Sequence, residues 1–253
     1  MLRALVLILA VLVGGAASAR DVVNVGGYEF GPFVDVDASG KASGLALELI
    51  DTLNHYQDRY EFRFVLTSPS RRYKDFEDRK FDVIFFESPD WGWRERNLPV
   101  ESSQVFLDGG ELYIARAKPG RGQDYFTDFT GKRMVGILGY HYGFAGFVAD
   151  PAELSRRFSM TLVNDNAASI EMILKDRGDV AVVTDAYLKR YLKSRPGVAE
   201  TLLVSDRLDQ PYTHRALVRR GAAITVADID RMLGAMEKDR TLARLWRHHG
   251  IKE

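Results

Sequence analysis

Short apolar runs recur along this chain, separated by stretches whose apolar residues follow a helical period. Val22-Val-Asn-Val25, Tyr60 to Leu66, Phe81-Asp-Val-Ile-Phe-Phe86, Lys132 to Leu138, Met160 to Val163 and Val180-Ala-Val-Val183 read as strands. Between them, Leu45, Leu49 and Leu53 recur at four-residue spacing beside Ala46 and Ile50, which marks one face of a helix starting near Gly44. Arg71 to Lys80, a short segment from Phe144, Ala167 to Lys175 and Ala186 to Lys193 read as further helices. Strands of four to eight apolar residues alternating with helices demand a largely parallel sheet covered on both faces. The rhythm occurs twice, which suits two α/β lobes better than one continuous sheet at this length. Leu112 to Arg116 and Arg215 to Arg219 look extended and suit a pair of connecting strands. Ile229, Met232, Leu233 and Met236, then Leu242, Leu245 and Trp246, carry the stripes of two terminal core helices, the second ended by Gly250.

Charge and composition remove several functions. Lys and Arg number 35 and Asp and Glu 35, so the basic excess of a nucleic-acid binder is missing. Without cysteine there is no thiolate nucleophile, zinc ribbon, disulfide frame or lipidated cysteine. No phosphate-binding G-x-x-x-x-G-K-[ST] loop and no G-x-S-x-G elbow occurs, and no cofactor is expected. His248 and His249 are consecutive on a helix and therefore expected on different faces, so no metal site is read from the five histidines.

Residues 1–19 have the three parts of a secretory signal peptide. Arg3 supplies the cationic start, Ala4 to Ala19 is uncharged, and Ala17-Ser18-Ala19 is the small-residue stop. Sixteen uncharged residues fall short of the roughly 20 that span a bilayer. Cleavage would leave an exported, periplasmic chain beginning at Arg20, with 34 basic against 35 acidic residues and a net charge of −1.

Five stretches, in order, resemble the family 3 extracellular solute-binding proteins of amino-acid ABC importers. They are Tyr28-Glu-Phe-Gly-Pro-Phe33 with Gly40-Lys41 and Gly44-Leu-Ala-Leu-Glu48; Phe81-Asp-Val-Ile84 with Arg94, Leu98 and Val100; Phe126 to Gly136; Arg177 to Asp185; and Asp239 to Trp246. The resemblance covers about residues 22 to 251. It implies a two-lobed periplasmic-binding-protein fold, each lobe a mainly parallel sheet flanked by helices, closing over a small ligand. Lobe 1 would take residues 20–113 and 214–253, and lobe 2 residues 114–213. The implied partners are a small molecule, an amino acid or a relative, and a membrane permease or receptor; the chain is expected to be a monomer.

Ligands bind beyond the carboxyl ends of strands in open α/β sheets, where Phe30, Arg94, Tyr140 and Asp185 are expected. By resemblance, Arg94 would grip a ligand carboxylate through paired N–H donors and Asp185 would accept its ammonium, although an Asp there also suits a helix N-cap. Phe30, with Tyr28 nearby, would stack on the ligand, or plug the core. Trp91 and Trp93 flank a glycine just before Arg94 and would wall an apolar or cationic ligand, or pack the surface. Three departures from the family pattern bear on the ligand. Pro89 stands where a hydroxyl is usual, Gly139-Tyr140-His141-Tyr142 replaces a Gly-Ser/Thr pair, and Glu87 replaces a small residue and faces either a cation or an arginine. His141 is the histidine placed nearest the cleft. An enzyme on the same scaffold, resembling the cyclohexadienyl dehydratases, would use Glu87 and His141 as acid and base.

Overall fold

The computed structural model describes residues 19–251. The expected leader, as far as Ser18, lies outside the described residues. In chain order the elements are β1 (Asp21–Gly27), β2 (Asp35–Val36), β3 (Ala42–Ser43), α1 (Leu45–Tyr56), β4 (Tyr60–Leu66), α2 (Arg72–Glu77), β5 (Val83–Glu87), β6 (Val100–Ser102) and β7 (Leu107–Arg116). The second half continues with β8 (Met134–Ile137), α3 (Pro151–Phe158), β9 (Thr161–Val163), α4 (Asn166–Leu174), β10 (Val180–Thr184), α5 (Asp185–Ser194), α6 (Pro196–Ala199), β11 (Leu202–Arg219), α7 (Val226–Lys238) and α8 (Thr241–His248).

Two parallel sheets are joined through two long antiparallel strands. On one side β4, β1 and β5 lie parallel, and on the other β10, β8 and β9 do. Between them β7 and β11 pair antiparallel from Leu202↔Arg116 to His214↔Leu107. The C-terminal part of β11 then pairs with β5 and β6, while β7 pairs with β10. The strand order is therefore β4-β1-β5-β11-β7-β10-β8-β9. The two extended segments read from sequence belong to these strands, of which β11 pairs with strands on both sides.

Strands β5, β8 and β10 are buried along their whole length, as expected for strands covered on both faces. Helix α1 begins at Gly44, whose φ is 110°, and a Cβ there would meet the carbonyl oxygens of Pro32 and Phe33 at 2.9 Å. Only glycine accepts both that backbone and that approach. The helix buries Leu45, Leu49 and Leu53 together. Two expectations change. The helix from Arg71 shortens to α2, and the helix from Phe144 is only a turn of 3-10 helix over Gly143–Ala145, because Gly146 takes a left-handed conformation. Helix formation resumes at Pro151, capped by Asp150, whose side chain accepts the Glu153 N–H. One large apolar core runs through both lobes, and a smaller one lies around Ile114, Val135, Ile170 and Val183. No helix among the described residues is long and apolar enough to cross a membrane.

Candidate functional site

The loops after β1, β5 and β8 converge with β7 and β11 where the two lobes meet. They enclose a cavity lined by Tyr28, Phe30, Trp91, Tyr140 and Tyr212, with Arg72, Glu111, His141 and Gln210 as its polar groups and Gly139 completing the wall. Phe30 stands among these rings. Its centroid lies 6.0 Å from Tyr28, 5.6 Å from Tyr140 and 5.9 Å from both Trp91 and Tyr212. The space left to a water-sized sphere is about 10 Å³, enough for about one water. A larger, polar groove of about 560 Å³ adjoins it, sharing Gly139 and His141 and bounded by Tyr73, Asp90, Arg96 and Asp150.

Burial governs the charges here. Arg72, the first residue of α2, is 1% exposed although it lies in the most charged stretch of the chain. Its Nε is 3.3 Å from Oε1 of the fully buried Glu87. Its terminal nitrogens donate to the carbonyls of Trp91 (3.2 Å) and Gly139 (3.4 Å) and to that of Pro69. The guanidinium also lies 5.0 Å from the Tyr28 ring and 4.3 Å from the Tyr73 ring. Glu87 further accepts from Tyr28 Oη at 3.1 Å and Trp93 Nε1 at 3.0 Å. Burial pushes its carboxyl upward, opposed by Arg72 and these donors. Glu87, itself outside the lining, therefore pairs with the arginine that lines the cavity, and of the two tryptophans only Trp91 lines it.

Glu111, 2% exposed, differs from Glu87 in having no basic partner: among the described residues no lysine, arginine or histidine forms an ion pair with it. It accepts a hydrogen bond from Gln210 Nε2 at 3.1 Å, while Gln210 Oε1 accepts from Trp91 Nε1 at 2.9 Å. Burial, with the negative charge of Asp209 next, pushes the Glu111 carboxyl up to about 8. An uncompensated buried carboxyl keeps its proton because ionising it in a low-dielectric site is costly. His141 is held neutral in the opposite sense: burial, then Arg72 and Arg96, pulls its imidazole down to about 3, and its Nδ1 has no hydrogen-bond partner.

Arg94 and Asp185 are not brought together. Arg94 points outward from the turn after β5 with its side chain 70% exposed and pairs with Asp90. The turn sends Trp91 and Trp93 inward instead, because the core rewards burying their rings. Asp185 is the first residue of α5, where it accepts from Lys189 at 2.7 Å; Thr184, not Asp185, is the N-cap. Neither residue lines the cavity. Phe30, Tyr28, Trp91, Tyr140 and His141 do.

Sequence reading missed Arg72, Glu111, Gln210 and Tyr212. Arg72 lies four residues before Phe76, on the face of α2 that Tyr73 and Phe76 bury, a spacing visible in the sequence. Glu111 was visible as a lone charge opening the apolar run Leu112-Tyr-Ile-Ala115.

Contacts across the lobes hold the cavity shut. Arg190 grips Asp35 through two bonds of 2.5 Å, and Tyr140 Oη donates to the Glu29 carbonyl at 2.8 Å. Gly139, at φ 82°, brings its backbone so close to Ser70 that a Cβ would lie 2.6 Å from Ser70 Oγ.

No family model matches the chain, and no curated protein does. Solved structures do. A mutant of ArgBP from T. maritima is 16% identical with a TM-score of 0.68, covering 91% of this chain and 96% of that one. The ancestral amino-acid-binding protein AncCDT-1, a precursor of cyclohexadienyl dehydratase, is 17% identical with a TM-score of 0.66, covering 90% and 94%. The substrate-binding protein of an amino acid ABC transporter is 13% identical with a TM-score of 0.67, covering 91% and 100%. The chain has the two-lobed fold of solute-binding proteins. At these identities the likeness is one of fold.

Proposed function

We propose that this protein is an exported solute-binding protein that closes over a small, amine-bearing solute, an amino acid or a relative, and presents it to the permease of an ABC importer or to a membrane receptor. Lobe 1 would comprise residues 20–113 and 214–253, and lobe 2 residues 114–213. The observation that supports this reading most is Glu111, a buried carboxyl without a basic partner, set among aromatic rings between the lobes. An ammonium supplies the missing positive charge, and the faces of Tyr28, Phe30, Trp91 and Tyr212 suit a cation or its apolar stem. Arg72 stands on the same cavity as the cation able to meet a carboxylate. With space for about one water, the closed cavity admits a solute only after the lobes part and Phe30 moves aside; the adjoining polar groove is the route.

The test is calorimetric titration with amino acids, polyamines and small organic acids, on wild type and Glu111→Gln. Saturable binding of an amine that weakens in the variant supports the reading. Uptake of organic acids alone, or of nothing in the panel, refutes it.

A second reading has its own observation. Glu111 is a carboxyl that keeps its proton near neutral pH in a desolvated cavity, the condition of a general acid, while Glu87 is tied to Arg72. Turnover of prephenate or arogenate, lost in Glu111→Gln, would favour a dehydratase over a binding protein.

A further inference from the structure

We propose that Glu48, His248 and His249, none of which lines the cavity, form a site for a zinc-class divalent metal ion. As consecutive residues of a helix the two histidines would face apart, but the helix ends between them. His248 is the last residue of α8, whereas His249 is its C-cap at φ −90° and ψ 3°. Both rings thereby reach one carboxylate in the first turn of α1. His249 Nε2 lies 3.1 Å from Glu48 Oε1, and His248 Nε2 lies 4.0 Å from the same oxygen. The rings are 5.2 Å apart and nearly perpendicular, so their ring nitrogens do not compete for one direction.

One ligand atom from each of the three residues falls within 4.8 Å of the others. Four-coordinate zinc with bonds of about 2.0–2.1 Å holds its ligands roughly 3.4 Å apart, a spacing that small rotations of exposed side chains reach from here. Two imidazoles and a carboxylate suit zinc, nickel or copper, rather than calcium or magnesium, which take oxygen ligands. The carboxylate makes no other hydrogen bond or ion pair among the described residues, and His249 Nε2 is buried without a well-aligned hydrogen bond. The negative end of the α8 dipole favours a cation. The frame is firm, since Leu242 and Trp246 of α8 and Leu45 and Leu49 of α1 are buried in the same core. His248, with its side chain 72% exposed, leaves an entry path and room for water as the fourth ligand.

Chelator-stripped, untagged protein is titrated with zinc by calorimetry and with cobalt(II) by visible absorption. The expected result is one equivalent bound, with a cobalt spectrum of low coordination number. His249→Ala, His248→Ala and Glu48→Gln should each weaken binding about tenfold or more, with circular dichroism unchanged. Absence of saturable binding up to millimolar zinc would overturn the proposal and leave only a contact between the histidines and Glu48. Binding that none of the three substitutions weakens would overturn it equally, by placing the metal elsewhere.

Discussion

Replacing Glu111 by glutamine should stabilise the protein at alkaline pH and leave it nearly unchanged at acid pH. In the folded chain Glu111 keeps its proton to about pH 8, against an ordinary value of 4.5 in the unfolded chain. Between those values the native state binds the extra proton, so stability falls as pH rises through the window, and the loss is complete above it. At about 1.36 kcal/mol per pH unit, a window from 4.5 to about 8 corresponds to on the order of 5 kcal/mol. Glutamine cannot ionise, yet it keeps the shape and an oxygen able to accept from Gln210. The difference in unfolding free energy, variant minus wild type, should therefore grow from near zero at pH 4.5 to several kcal/mol by pH 8.5. In a chain of this size that is roughly 10–20 °C in melting temperature. Urea unfolding of both proteins across pH 4.5–8.5 measures it. Taking the difference cancels Glu29, which burial pushes up to about 7, and His141 and His214, which burial pulls down to about 3. A difference that stays flat with pH would refute the argument, showing that Glu111 meets water or a positive charge in the folded state.

Arg72→Ala should cost about 3–5 kcal/mol in urea unfolding, because it strands the buried Glu87, and Glu87→Gln in the same chain should recover part of the loss. Arg94→Ala should change stability by less than about 1 kcal/mol, as expected for an exposed ion pair with Asp90, and should leave solute affinity unaltered; a large loss of affinity would return Arg94 to the site. Arg190→Ala removes the bidentate contact to Asp35 between the lobes, so small-angle scattering of the solute-free variant should give a larger radius of gyration than wild type. Equal radii would mean that the remaining contacts, such as Tyr140 to Glu29 and Trp91 to Gln210, hold the lobes together without it.

The alternation of strands and helices, the α1 stripe of Leu45, Leu49 and Leu53, and the aromatic loop around Phe30 were legible from residue order. Each depends on local periodicity or on which side chains water rejects, properties the chain carries with it before folding. Tertiary structure alone decided which charges line the cavity. Arg72 and Arg94 are the same residue type in equally polar stretches, but one lies under Tyr28 and Tyr73 beside Glu87 while the other reaches solvent beside Asp90. Glu87 and Glu111 are both buried, and they differ because one finds Arg72 and the donors Tyr28 and Trp93 while the other faces the charge of Asp209. Electrostatic character depends on distance and solvent access between residues remote in sequence, and those are set when β7 and β11 bring the two lobes together.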